Sequence, residues 1–237
     1  MYERLHRLSV GELVAEQPER ARVFDRFSID YCCGGGKSLD EACSERRVDS
    51  DLLITHLLVN DEHASQVTAV DLGALSLSEL VDDIVYAHHG FLRRELPRIA
   101  RLMKKVIGAH GAAHPKLLEL ARVFRRFLIS IETHMESEER DAFPHLIRLN
   151  EDCSARWSDS ATLLQRLEGE HEEAGRDLAA MRLLTSDYSS PPDACGTYRV
   201  LMHALLQLER DMHLHVHKEN NILFPRAARL MNASLPA

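Results

Sequence analysis

One pattern, His-x3-Glu-x4-Phe-Pro, occurs twice in this chain and constrains its fold more than any other feature. The first copy begins at His134 and the second at His215. Residues four apart lie on the same face of an α-helix, so each copy directs one imidazole and one carboxylate to the same side. The repeat therefore predicts two helices that each carry a His-Glu pair.

Two further histidines repeat the spacing. His89 lies 45 residues before His134, and His171 lies 44 residues before His215. Because both intervals match, we interpret the chain as two helical hairpins, each with one histidine on its first helix and a His-Glu pair on its second. Four long helices with short connections predict an all-α antiparallel four-helix bundle, and metal sites in such bundles lie between facing helices.

Local signals indicate where these helices begin and end. The first should start at Ser76 and run to about residue 107, and the second should run from Pro115 to about residue 149. The third should span about 160–184, and the fourth should follow the break at 189–193 and continue towards residue 231. Three prolines should kink or close these helices: Pro97, Pro144 and Pro225.

The N-terminal part of the sequence predicts shorter helices than the rest of the chain. Residues 1–66 predict a small helical domain with several short helices, since Ser9 and Ser38 each begin a capping box. Between the short helices, a glycine-rich loop contains Cys32 and Cys33, and its glycines permit backbone conformations denied to other residues. A linker near residues 67–75 separates this domain from the bundle, for which we predict residues 76–237.

Bulk properties exclude several classes of protein. Lys and Arg total 29 against 37 Asp and Glu, and this net charge of −8 argues against a nucleic-acid or anionic-membrane surface. The first residues do not resemble a signal peptide, and no stretch is apolar enough for a spanning helix, so we expect a cytoplasmic protein. Five cysteines, an odd number, do not suggest a disulfide framework.

The duplicated pattern makes a joint metal site the best interpretation of residues that singly would be ordinary surface or core groups. The candidate ligands are His89, His134, Glu138, His171, His215 and Glu219. Six ligands with two carboxylates suit a pair of first-row ions bridged by those carboxylates, and two irons are the natural occupants. An oxo or hydroxo bridge would leave each iron one position for a small ligand. The neighbouring residues His88, His213 and His217 are expected either to face solvent or to lie around the metal ligands without binding the metal.

Several motifs together resemble those of the Repair of Iron Centres family, the YtfE and ScdA type of haemerythrin-like di-iron protein. They are the tandem His-x3-Glu pairs, the Glu170-His171-Glu172 context, the stretch from Glu219 to Arg226 and the Asp30-Tyr-Cys-Cys-Gly-Gly loop. The resemblance covers nearly the whole chain. It implies a haemerythrin-like bundle whose six candidate ligands hold a non-haem di-iron centre.

The resemblance also implies a function, namely repair of iron-sulfur clusters damaged by nitrosative or oxidative stress. Iron donation and nitric oxide reduction at the di-iron centre are the two candidate chemistries. The expected partners are iron-sulfur client proteins, with nitric oxide or dioxygen as small ligands. The alternative is a haemerythrin-like sensor of diatomic gases or an iron store that binds without turnover.

The cysteines divide into two groups. Cys32 and Cys33 are expected to be accessible in their loop and to have a thiol or iron-transfer role, chiefly because of the resemblance. Adjacent cysteines form a disulfide only with strain, and buried cysteine often only packs, which is the competing interpretation. No partner spacing accompanies the other three cysteines, for which packing or surface positions are expected: Cys43, Cys153 and Cys195.

Overall fold

The computed structural model describes residues 2–64, 72, 74–151 and 160–233, and every regular element within these ranges is a helix. The prediction of an all-α fold is therefore confirmed. None of the described helices combines the length and the hydropathy that crossing a bilayer requires. Cys153 and the predicted linker, apart from residues 72, 74 and 75, lie outside the described residues.

Short helices form the N-terminal part of the chain, as predicted. They are α1 Tyr2–Arg7, α2 Val10–Glu16, α3 Ala21–Arg26, α4 Leu39–Arg46 and α5 Ser50–Ala64, with a 3-10 turn at Pro18–Arg20. Capping boxes start α2 and α4: the pairs Ser9–Glu12 and Ser38–Glu41 each exchange side-chain-to-backbone hydrogen bonds. These bonds satisfy amide groups at the helix start, so the local sequence was enough to predict both beginnings.

The rest of the chain forms longer helical segments, some of which consist of two α-helices joined by a π-helical turn. The α-helices are α6 Leu77–Asp83, α7 Gly90–His110, α8 Lys116–Ser137, α9 Phe143–Glu151, α10 Ser160–Leu184, α11 Gly196–Lys218 and α12 Phe224–Ala233. Three π-helical turns join α6 to α7, α8 to α9 and α11 to α12: Ile84–His89, Glu138–Ala142 and Glu219–Leu223. The first, second and fourth predicted helices thus each contain one wider turn. Pro97 lies inside α7.

The chain divides into two compact units. The first contains residues 1–82, 146–158 and 213–237, and the second contains residues 83–145 and 159–212. Helix α11 therefore contributes residues 196–212 to the second unit and its last residues to the first. The domain limits that the sequence suggests, 1–66 and 76–237, stay a prediction.

In the second unit, α8 packs against both α7 and α10. The buried apolar residues of α7 recur every three or four positions, which places them on one face: Leu92, Leu96, Ile99, Met103 and Val106. Salt bridges join Arg126 of α8 to the buried Asp177 of α10, and Arg182 of α10 to the buried Glu209 of α11. These contacts connect the four helices that the repeat predicted.

The first unit has an apolar core of its own, to which α2, α3, α4 and α5 contribute. Its largest buried side chains include Phe24 and Tyr31. Arg20 is also buried, and its guanidinium donates hydrogen bonds to Asp61 at 2.6–3.2 Å and to the Leu13 carbonyl at 3.0 Å. A buried charge of this kind is tolerated because it is paired and hydrogen-bonded.

Candidate metal centre

Glu138 is the middle of a buried cluster in the second unit. Its side chain is fully buried at the first position of the π-helical turn after α8. Oε1 of Glu138 lies 3.1 Å from Nε2 of His134 and 4.0 Å from Nε2 of His171. Oε2 of Glu138 lies 3.4 Å from Nε2 of His89. Three predicted ligands, His89, His134 and His171, thus lie around a fourth, the carboxylate of Glu138.

Two carboxylates outside the predicted ligand set, Glu139 and Glu170, determine which ring nitrogen carries the proton in His89 and His134. We call them the outer carboxylates. Nδ1 of His89 lies 2.6 Å from Oε1 of Glu139, and Nδ1 of His134 lies 2.7 Å from Oε2 of Glu170. A carboxylate only accepts hydrogen bonds, so each Nδ1 is assigned as the donor. In a neutral imidazole, Nε2 then holds a lone pair directed towards Glu138.

This assignment places acceptors opposite one another. Nε2 of His134 faces Oε1 of Glu138 at 3.1 Å, and Nε2 of His89 faces Oε2 of Glu138 at 3.4 Å. Lone pairs at these distances repel unless a cation lies between them, and side chains this deeply buried are not screened by bulk water. Imidazole nitrogen and carboxylate oxygen are ligands of first-row metal ions. The donor set therefore fits a metal ion.

Each outer carboxylate also contacts an arginine. Burial raises the pKa of Glu139, but hydrogen bonds from Arg93 and His89 outweigh burial and hold the pKa below its usual range. The hydrogen bond with His134, helped by Arg166 at 2.6 Å, lowers the pKa of Glu170 despite its partial burial. Both groups are therefore carboxylates that can hold an imidazole in place. Such outer partners orient metal-bound histidines and increase their basicity.

The remaining two predicted ligands lie in the first unit. His215 and Glu219 are fully buried, and Nε2 of His215 lies 3.2 Å from Oε1 of Glu219. The contact has the same four-residue spacing as the contact between His134 and Glu138. The predicted common direction of the side chains within each copy is thus confirmed.

The two copies of the repeat also share an unusual backbone. The amide of Phe143 donates to the carbonyl of Glu138, and the amide of Phe224 donates to the carbonyl of Glu219. These are bonds to the residue five positions back, which define a π-helical turn, and such turns are frequent at functional sites. A proline follows each phenylalanine, where it requires no amide donor. The prolines thus coincide with a widened turn that begins at each candidate ligand.

The histidines next to the candidate ligands have different partners. His88 is buried, and its Nδ1 lies 3.0 Å from Oδ1 of Asp211 within the second unit. In the first unit, Nδ1 of His213 lies 3.0 Å from Oδ1 of Asp25. Each of these imidazoles is therefore held by a carboxylate that is not among the predicted ligands.

His217 is also not a surface residue. Its side chain is buried in the first unit, and its ring packs edge-on against Tyr31 with 5.7 Å between centroids. Burial lowers the pKa of His217 to about 4, although a hydrogen bond with the Tyr31 backbone opposes this change. A neutral imidazole packed against an aromatic ring excludes the solvent-facing interpretation.

The two adjacent cysteines differ in environment. Cys33 is exposed, but Cys32 is only 7 % exposed, so the expectation that both are accessible is wrong for Cys32. Their sulfurs lie 4.0 Å apart without a disulfide, and Oδ1 of Asp30 accepts hydrogen bonds from both backbone amides at 3.0 Å. The hydrogen bond with Cys33, followed by burial, raises the pKa of Cys32. The thiol of Cys32 is therefore protonated at neutral pH.

Close packing, rather than unusual torsion, explains the glycines of this loop. No described glycine has a positive φ, so the described glycines do not adopt the special conformations that were expected. Instead, a Cβ on Gly35 would lie 2.7 Å from the Tyr31 carbonyl and would also strike Asn221. The amide of Gly11 donates to the Gly35 carbonyl at 2.8 Å, and Nδ2 of Asn221 donates to the Cys32 carbonyl at 3.0 Å. Asn221 thus attaches the cysteine loop to the π-helical turn that begins at Glu219.

Comparisons with known proteins agree with this geometry. The haemerythrin HHE cation-binding domain model matches residues 80–227, and the ScdA N-terminal model, a domain of unknown function, matches residues 6–61. The chain is 34% identical to the iron-sulfur cluster repair protein ScdA of Staphylococcus haemolyticus, covering 91% of this chain and 95% of that protein. It is 32% identical to the iron-sulfur cluster repair protein YtfE of Dickeya chrysanthemi, covering 93% and 96%. The chain therefore belongs to the ScdA and YtfE family, whose bundle is a haemerythrin-type cation-binding domain.

Proposed function

We propose that this protein repairs damaged iron-sulfur clusters and that its bundle holds two irons. The relatives named above are iron-sulfur cluster repair proteins, and their similarity covers more than nine-tenths of this chain. The haemerythrin match, residues 80–227, includes both copies of the repeat and the two earlier histidines. The proposed ligands are those predicted from the sequence: His89, His134, Glu138, His171, His215 and Glu219.

The opposition of acceptors around Glu138 is the observation that carries this proposal. One oxygen of Glu138 faces His134 and His171, whereas the other faces His89. A carboxylate with imidazoles on both of its oxygens is suited to bridge two ions, each with its own nitrogen ligands. We assign the same bridging role to Glu219, because it occupies the equivalent position of the second repeat.

The chain's own residues prepare the site for small ligands. Glu139 and Glu170 hold the Nδ1 protons of their histidines, which keeps each Nε2 lone pair directed inward. A surface cavity of about 460 Å³ borders His134, with Arg166 and Thr133 also in its wall. This cavity is the proposed approach for a diatomic molecule. When bound, the irons would supply the two electrons that convert two nitric oxide molecules and two protons into nitrous oxide and water, or would themselves be cargo for a client.

Metal analysis and cluster restoration test the proposal together. Full-length protein purified without oxygen should contain two irons per chain and should restore activity to a hydro-lyase whose cluster was damaged by nitric oxide. Glu138→Gln should lose both properties, because the amide cannot neutralise two cations. Glu172→Gln, which removes an exposed carboxylate of the same type, is the matched control. A wild-type protein with one zinc, or a Glu138→Gln variant with full iron content, would contradict the assignment.

Headspace analysis separates the candidate chemistries. Reduced protein mixed once with nitric oxide should release nitrous oxide if it is a reductase. Transfer of labelled iron into the client without nitrous oxide would favour iron donation. A stable nitric oxide complex with neither outcome would favour the sensor or store.

A further inference from the structure

A second cluster of metal-binding side chains lies in the second unit, and it shares no residue with the proposed di-iron ligands. It comprises His110, the last residue of α7; His114, in the turn before α8; and Asp193, in the loop before α11. One ligand atom from each lies within 4.8 Å of the others. The cluster thus joins the α7–α8 turn to the segment between α10 and α11.

The positions of the imidazoles in this cluster are restrained. Nε2 of His114 lies 2.9 and 3.2 Å from the two oxygens of Asp193. Tyr198, on α11, packs nearly perpendicular to both imidazoles, at 5.4 Å from the ring of His110 and 5.9 Å from that of His114. A simple ion pair would need only His114 and Asp193, whereas here a second imidazole converges on the same carboxylate. Shared packing against one aromatic ring reduces the rotamer freedom that binding a cation would remove.

A thiol completes the set of ligand types. Cys195 is exposed and immediately precedes α11. A side-chain hydrogen bond with His110 places its thiol beside the cluster. Thiolate is a preferred zinc ligand.

We propose that His110, His114 and Asp193 form a second metal site, for a divalent cation of the zinc class, with Cys195 as its fourth ligand. Two imidazoles, one carboxylate and one thiolate are the ligand types that zinc binds with tetrahedral geometry. The ion joins two connecting segments of the bundle, and so it stabilises the folded state by mass action. This site does not depend on the proposed iron-sulfur repair function.

Zinc titration of the full-length, iron-loaded protein tests the site. A chromophoric chelator reports how tightly zinc binds in wild type, His114→Gln, Asp193→Asn and the control His203→Gln, which alters an exposed histidine of α11. We expect one zinc per chain beyond the iron, with affinity reduced by about a hundredfold or more in the first two variants and unchanged in the control. Iron content should be equal in all four proteins, which separates this site from the buried centre.

Two further measurements keep the proposal falsifiable if a variant proves unstable. Zinc should raise the melting temperature of the wild type and slow alkylation of Cys195, followed by peptide mass analysis, without protecting Cys33. Cys195→Ser should bind zinc more weakly than wild type but more tightly than His114→Gln. Equal zinc affinity in wild type and in both His114→Gln and Asp193→Asn would overturn the proposal. Zinc that protects Cys33 instead of Cys195 would also overturn it, by placing the ion on the N-terminal loop.

Discussion

Replacement of Glu170 by Gln should weaken iron binding without unfolding the protein. The carboxylate accepts a hydrogen bond from Nδ1 of His134 at 2.7 Å and a second from Arg166 at 2.6 Å. Glutamine has the same shape and one acceptor oxygen, which can remain on His134. Its amide NH2 group would then face the guanidinium of Arg166. Both groups are hydrogen-bond donors, so the hydrogen bond with Arg166 that holds the side chain in place would be lost.

The size of the effect follows from the role of Glu170 outside the ligand shell. Mutation of a residue that hydrogen-bonds a metal-bound histidine reduces metal affinity by about 10–100-fold, equivalent to about 1.4–2.7 kcal/mol. The same reasoning applies to Glu139→Gln, which acts on His89 through a 2.6 Å contact. Since His89 and His134 both contact Glu138, the free-energy costs of the two substitutions should be coupled, and the cost in the double variant should differ from their sum.

The assay is competition for ferrous iron with a chelator under anaerobic conditions. Glu172→Gln is the control, because it removes the same charge two residues along α10 from an exposed side chain whose contact with Arg176 is 3.9 Å long. Urea unfolding of the metal-free proteins should give similar free energies for all variants. If Glu170→Gln binds iron as tightly as Glu172→Gln, the carboxylate does not orient His134 and the reasoning fails.

Three other substitutions test separate features of the first unit. Gly35→Ala should destabilise the protein by about 1–3 kcal/mol in urea unfolding, because its Cβ would strike the Tyr31 carbonyl; an unchanged midpoint would contradict the close packing. Asp61→Asn should cost about 3–5 kcal/mol by the same measurement, since it leaves the buried Arg20 guanidinium poorly neutralised, and a loss below 1 kcal/mol would be incompatible with that pairing. Cys33→Ser should retain full iron content while slowing cluster restoration, and wild-type restoration would make the exposed thiol dispensable.

Helical geometry made the local part of the candidate site predictable. The His-Glu contacts of 3.1 Å at His134 and 3.2 Å at His215 follow directly from four-residue spacing, which is the same in every α-helix. The repeated 45- and 44-residue intervals also indicated four long helical paths. The wider turns were not predicted, because the prolines at 144 and 225 are compatible with a kink, a helix end or a π-helical turn.

The outer carboxylates depend on long-range contacts that the sequence does not show. Glu139 follows Glu138 by one residue in the π-helical turn, so the two side chains point in different directions around the helix. The histidine that Glu139 contacts lies 50 residues earlier in the chain. Glu170 precedes His171 in the same way but contacts His134, 36 residues earlier. A Glu beside Glu138 and a Glu beside His171 were visible signals, yet their partners became clear only from the packing of the helices.

The loop that contains Cys32 and Cys33 was predicted at the correct place in the sequence, but for the wrong physical reason. Its glycines predicted a loop, which the structure confirms, but the stated cause was conformational freedom. No positive φ occurs at the described glycines, and Gly35 is required instead by the approach of Asn221 and the Tyr31 carbonyl. Steric exclusion depends on a partner 186 residues away in the chain, so the sequence around the loop could not reveal it.

Each outer carboxylate is paired with an arginine, which neutralises its negative charge. Glu139 and Glu170 strengthen their histidines as donors, but two uncompensated anions near the buried Glu138 would increase the free-energy cost of its burial. Arg93 and Arg166, both about half exposed, place the balancing charges at the protein surface. The charge of Glu138 therefore remains the main attraction for a cation within this half of the site. For this reason, substitution of an outer carboxylate should tune metal affinity, whereas substitution of Glu138 should abolish binding.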